Sequence, residues 1–350
     1  MASETKDGRK IQWGIFDWVE WDENSPSQIF EDRLKLLEYA DKQDFYCYHV
    51  AEHHTTPLSV APSPGMYLSA VAQRTSRIRM GPLVYLLPLY NPLRLIQEVC
   101  MLDHLSNGRL ELGVGRGIVP YEVARFGVDP EEGRAMFDDA LAVLLKGLQN
   151  ETLNHEGEFY NYKDIKFWIK PYQKPHPPIW YASGNLETVP WMAKNGIHTS
   201  HIFDTNEITK KHFDLYQELW EKHKDDPDRI NNGAVEPKQG QTRHVYIAPT
   251  DAEAVAEARV AWKAWCDNIN YLWNIGDSDN LKWLYDFDAL LADEKIIAGS
   301  PETANEQVWR AIEDSGINYF IGVFAWGNIS AEKAMRSITY FVDEVIPGAR

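Results

Sequence analysis

Phe45-Tyr46-Cys47-Tyr48-His49-Val50-Ala51-Glu52-His53-His54 is the stretch on which the reading of this chain turns. Its first seven residues are mainly aromatic or apolar, which suits a strand covered on both faces. Polarity then changes abruptly at Glu52, His53 and His54. In a parallel α/β protein the C-terminal ends of strands carry the chemistry, so a polar triplet there marks a candidate site. A histidine at that point can take or give a proton near neutral pH, worth ~10²–10⁴ in rate. Glu52 could orient the imidazole; a loop histidine bonded to backbone is the plainer alternative. The same letters spell His49-x-x-Glu52-His53, a zinc-peptidase pattern. That chemistry needs both histidines on one face of a helix, and strand formers without a helix cap do not provide one. No metal site is expected.

Outward from this stretch, short apolar runs alternate with longer amphipathic ones. Strands are expected at Gln12–Trp18, Phe45–Ala51, Ile78–Val84, Leu110–Gly115, Pro178–Ala182, Gly196–Ile202, His244–Ala248 and Tyr319–Phe324. Ser25-Pro26-Ser27-Gln28 reads as a helix N-cap, with Phe30, Leu34 and Leu37 on one face beyond it. Phe137, Leu141, Leu144, Leu145 and Leu148 repeat a helical spacing. Thr250 with Glu253 caps a helix running to about Trp273, and Ser300-Pro301 opens another. Eight strands with intervening helices favour an α/β fold of the (β/α)8 TIM-barrel type, with insertions at the C-terminal mouth. A doubly wound sheet is the competing architecture. Residues 1–350 read as one domain, with a polar tail over 1–9. Two insertions stand out. The first is Asn150 to Lys174. The second is 267–298, a candidate lid containing Trp273, Trp283, Tyr285 and Phe287; a satellite helical hairpin is its alternative.

Two further segments suit an anion. Gly113-Val114-Gly115-Arg116-Gly117 leaves the fourth strand with glycines that let a ligand approach the backbone, and Arg116 offers a planar fork for phosphate or carboxylate. Pairing of Arg116 with a nearby carboxylate is the alternative. Ser183, Gly184 and Asn185 follow the fifth strand, with Thr188 close to the start of the next helix. Free N–H groups and hydroxyls of that kind bind phosphate.

Composition bounds what such a site serves. Acidic residues number 52 against 35 basic, a net charge of −17, and no basic run is present. Nucleic acid and anionic membrane are therefore not expected partners. A small anion remains compatible, because screening over about 8 Å lets one arginine dominate locally. The three scattered cysteines, Cys47, Cys100 and Cys266, fit a reducing cytoplasm, and the first ten residues contain no apolar signal core.

Taken in order, the motifs resemble the luciferase-like flavin-dependent monooxygenases. The resemblance rests on Ala51-Glu52-His53-His54, Leu87-Pro88 with Asn91-Pro92-Leu93-Arg94, Leu102-Asp103 with Ser106-Asn107-Gly108-Arg109, and Gly113 to Gly117. It continues through Phe126-Gly127, Gly299-Ser300-Pro301-Glu302, Gly316-Ile317-Asn318 and Met335-Arg336-Ser337. It spans nearly the whole chain and implies a barrel with flavin mononucleotide (FMN) at its mouth. By this resemblance His53 is the catalytic histidine and Arg116 contacts the flavin phosphate. Ser183, Gly184, Asn185 and Thr188 form a second phosphate segment, and Leu83–Val84 is a non-proline cis peptide behind the flavin ring. Gly115 stands where luciferase has an active-site cysteine, which argues against light emission.

The implied reaction uses reduced FMN and O2 to oxygenate a small apolar or aromatic substrate. A separate NAD(P)H:flavin reductase supplies the reduced flavin. Trp18, Trp21 and Trp326 are candidates for the substrate wall, with core packing as their alternative. The family also implies a homodimer through Pro64–Arg74 and Pro92–Leu105. A deazaflavin-dependent dehydrogenase and a non-catalytic flavin-binding protein are the alternative functions.

Overall fold

In the computed structural model, residues 3–232 and 236–348 are described. Ten parallel strands organise them, the two-residue Tyr85–Leu86 and β1 (Lys10–Asp17), β2 (Phe45–Val50), β3 (Arg79–Pro82), β4 (Leu112–Gly115), β5 (Ile179–Trp180), β6 (Thr199–Ile202), β7 (Gln239–Ile247), β8 (Ile296–Gly299) and β9 (Tyr319–Val323). One ladder runs β6-β7-β9-β1-β2-β3, with β8 also paired to β7. A second joins Tyr85–Leu86, β4 and β5. Single parallel bridges at Met80–Leu110 and Trp180–His198 link the two ladders. Helices alternate with the strands, so the molecule is an α/β fold built on parallel sheet.

The strand interiors explain the pairing. In β2 every residue except Tyr46 is buried, as near-continuous apolarity requires of a strand covered on both faces. Where strands crowd, glycine is obligatory: a Cβ at Gly81 would stand 1.8 Å from the Glu111 carbonyl oxygen. The caps lie where the sequence places them. The side chains of Ser25, Thr250 and Ser300 accept hydrogen bonds from the N–H groups of Gln28, Glu253 and Thr303, opening Pro26–Ala40, Asp251–Ile275 and Pro301–Ser315.

One strand boundary moves, and three segments take a definite form. β7 begins at Gln239, not His244, because five polar or glycine positions precede its apolar half. Those positions are buried and several are paired; Gln241 donates to Asn206 Oδ1 and Thr209 Oγ1, both at 3.1 Å. The polar tail is partly structured, since Ser3–Glu4 pairs antiparallel with Lys10 and Ile11. The insertion after Asn150 is an antiparallel hairpin, Thr152–Glu156 with Asn161–Lys166. Over residues 267–298 the helix begun at Asp251 continues to Ile275, two short helical pieces follow, and the segment ends in β8.

Candidate active site

The C-terminal ends of β1, β2, β4, β5 and β6, with the segment after β3, surround a cavity of about 530 Å³. Its lining includes Glu52, His53, Leu83, Val84 and Arg116, together with Ser183, Gly184, Asn185, Thr188 and Trp18. Ten of the expected site residues thus meet at one place. Trp21 and Trp326 lie outside it. Trp21 is half exposed, and Trp326 is buried edge-on to His244 at 5.4 Å and Trp262 at 5.9 Å. Trp326 is therefore core rather than substrate wall. Residues 267–298 also contribute nothing to the lining.

The carboxylate assignment changes. Glu52 does not orient His53. Its Oε1 lies 2.7 Å from His54 Nε2 and accepts from the Tyr90 hydroxyl at 3.0 Å, while Oε2 accepts from the Leu86 N–H at 2.9 Å. Burial raises its pKa and these hydrogen bonds oppose that rise. His53 Nδ1 instead lies 3.2 Å from Oε2 of Glu122, whose Oε1 accepts from the His54 N–H. Glu122 sits on the short helix Pro120–Ala124 and is 1% exposed. With Nδ1 facing a carboxylate, the imidazole donates there, and in the neutral ring the lone pair then falls on Nε2. Nε2 has no hydrogen-bond partner among the described residues, and the side chain lines the cavity. The segment carrying His49 and His53 is strand followed by loop, so the zinc-peptidase geometry is absent from it. His49 is buried, with Nε2 3.0 Å from the Tyr319 hydroxyl.

The elements expected to hold an anion lie around the same space. Arg116 is exposed and makes no hydrogen bond or ion pair among the described residues, which leaves its guanidinium available. Thr188 Oγ1 donates to the Asn185 carbonyl at 2.7 Å and lies 3.0 Å from the Ser183 hydroxyl, from which it can accept. The Ser183 hydroxyl accepts from the Asn185 N–H at 3.1 Å, so the turn is preorganised. Arg134, at the start of Gly133–Gln149, also reaches the lining, with its guanidinium donating to Asp138 Oδ2 at 2.9 Å. The Leu83–Val84 peptide is cis, as the resemblance implies. A Cβ on Gly115 would stand 2.3 Å from Val84 Cγ2, so Val84 occupies the space a cysteine would need. Trp18 stacks on the buried His244 ring at 5.2 Å, which fixes the indole at the cavity wall.

Sequence reasoning did not find Glu122 or Arg134. Glu122 lies 69 residues from His53. No local pattern marks either; the five-residue helix carrying Glu122 is too short to show a period.

Residues 12–319 match the luciferase-like monooxygenase family. The chain belongs to that family. Membership places it among oxidoreductases. It is 32% identical to the uncharacterised protein y4wF of Sinorhizobium fredii over 329 residues, covering 93% of this chain and 94% of that one. It is 27% identical to limonene 1,2-monooxygenase of Rhodococcus erythropolis, covering 98% of this chain and 88% of that enzyme. Its fold resembles the oxygenating constituent of 3,6-diketocamphane monooxygenase of Pseudomonas putida, solved with FMN. The TM-score there is 0.79 at 22% identity, over 99% of this chain and 98% of that one. No helix among the described residues is long and apolar enough to cross a membrane.

Proposed function

We propose that this luciferase-like monooxygenase is an FMN-dependent oxygenase component acting on a small apolar or aromatic substrate. A cavity of about 530 Å³ falls in the range that holds cofactor-sized molecules. Arg116, Ser183, Gly184, Asn185 and Thr188 would hold the phosphate, and Leu83, Val84 and Gly115 would flank the ring. Bound in its reduced form, FMN supplies the electrons that activate O2 for transfer to the substrate. His53 holds and moves a proton at Nε2, while Glu122 keeps Nδ1 protonated and the ring oriented. Glu52 acts on the site at one remove, by fixing His54 and the Leu86 backbone. Phe16, Trp18, Ile118 and Ile202 line the cavity with apolar surface that excludes water.

A separate NAD(P)H:flavin reductase delivers the reduced cofactor; the diketocamphane enzyme, an oxygenating constituent with FMN, supports this. The two ladders close into a single (β/α)8 barrel domain, a reading supported by the bridges at Met80–Leu110 and Trp180–His198. Three buried free thiols, Cys47, Cys100 and Cys266, suit a reducing cytoplasm.

The observation that carries the proposal is an uncommitted guanidinium sharing one cavity with a preorganised hydroxyl turn and a carboxylate-held histidine. The test is a fluorescence titration with oxidised and photoreduced FMN. Arg116→Ala is expected to weaken binding by about 10- to 100-fold, the value of a charge-assisted contact. Unaltered affinity would sink the phosphate assignment. Failure of the unmodified protein to bind either form would overturn the FMN reading and make deazaflavin the next ligand to titrate.

A further inference from the structure

β6 presents His201 near its C-terminal end, and the turn that follows brings Asp204 back onto it. His201 Nδ1 lies 2.8 Å from Asp204 Oδ2. The helix Asn206–His223 then sets His212 against the same point, with its Nδ1 3.4 Å from that of His201. One donor atom from each of the three residues lies within 4.8 Å of the other two. Both histidines are buried, whereas the Asp204 side chain is 24% exposed, so the cluster has one open side.

Three atoms able to ligate a metal ion thus converge. A proton on His201 Nδ1 can serve Asp204 or His212 but is poorly placed to serve both. A divalent ion serves all three. Tetrahedral nitrogen and oxygen ligands about 2.0–2.2 Å from an ion stand about 3.3–3.5 Å apart, which is the separation of the two imidazole nitrogens. The pair at 2.8 Å would open slightly on binding. Two imidazoles with one carboxylate suit a borderline transition metal rather than calcium or magnesium. Two cations oppose an ion here. The Arg243 guanidinium donates to the Asp204 carbonyl at 2.7 Å, and Lys211 lies next to His212 in sequence.

We propose that His201, Asp204 and His212 form a binding site for a divalent transition metal of the zinc class, with a fourth position open towards solvent beside Asp204. The site ties β6 to the helix that follows it. It also abuts the hydroxyl turn of the main cavity, because Asp204 Oδ2 lies 3.2 Å from where a Cβ on Gly184 would stand. Metal binding itself does not depend on the flavin reading.

The experiment is a titration of chelator-dialysed full-length protein with Co²⁺, followed by the visible bands of tetrahedral cobalt and by displacement with Zn²⁺. One equivalent per chain is expected, with a raised melting temperature. Binding should be lost in His212→Ala and weakened at least tenfold in Asp204→Asn. If His212→Ala fails to fold, Asp204→Asn decides, since its amide oxygen can still accept from His201. No saturable binding at micromolar ion would overturn the proposal. So would equal binding in folded Asp204→Asn, which would place the metal elsewhere.

Discussion

His53 and Glu52 are neighbours in the chain, yet each serves a different partner. A loop leaving a strand turns successive side chains in different directions, so the carboxylate next in sequence is not the one next in space. Glu52 faces inward to His54, Tyr90 and the Leu86 N–H, and Glu122 reaches His53 from another element. Two variants separate these roles. His53→Ala is expected to retain FMN binding and to lose at least about a hundredfold in turnover, the scale of general acid–base catalysis. Glu122→Gln keeps an acceptor near Nδ1 but removes its charge, and a fall of about tenfold in kcat at unchanged FMN affinity is expected. Steady-state kinetics beside an FMN titration distinguish them. Unchanged turnover in His53→Ala would remove that histidine from the mechanism.

Among the elements, those with strong local signals formed as their sequence suggests, and those held by tertiary partners did not announce themselves. The capped helices belong to the first group. β7 belongs to the second: Gln241 and Arg243 are buried and bonded to residues on the turn and helix after β6, and no apolar pattern could mark them as strand. The mouth has a comparable clamp. Glu20, beyond β1, accepts from Asn268 Nδ2 and from the Gly327 N–H, both at 2.9 Å, joining three segments. Burial raises its carboxyl from 4.5 to about 7. Between those values the unfolded chain is ionised while the folded one holds its proton. This contribution to stability is therefore complete below 4.5 and is lost as pH rises through about 7. Glu20→Gln cannot ionise, so it should gain on the unmodified protein by about 1–3 kcal/mol between pH 5 and pH 8. Urea unfolding at the two pH values measures this, and a constant difference would contradict a protonated Glu20.

For the whole molecule, the cavity exists because strand ends far apart in sequence are brought to one side of a parallel sheet. Two helices carry apolar side chains that the single chain leaves in solvent. Met66 on Pro64–Arg74 is 77% exposed, and Met101 on Pro92–Leu105 is 54% exposed. These are the helices through which a homodimer is expected, and exposed methionines suit an interface. Light scattering after size exclusion should report a dimer, and Met101→Glu should shift it towards monomer. A monomeric unmodified protein would exclude this pairing.

By itself the sequence determined the alternation of strands and helices, the caps that begin the long helices, and the segments around the candidate site: Glu52 to His54, Arg116, and Ser183 to Thr188. These are local properties, set by apolar period, turn chemistry and the polarity switch at a strand end. Only the tertiary structure decided which carboxylate serves which histidine, that Val84 fills the space beside Gly115, that Trp326 is core, and that His212 meets His201 and Asp204. Each of those depends on the direction of a side chain after distant segments pack, and sequence spacing does not encode that direction.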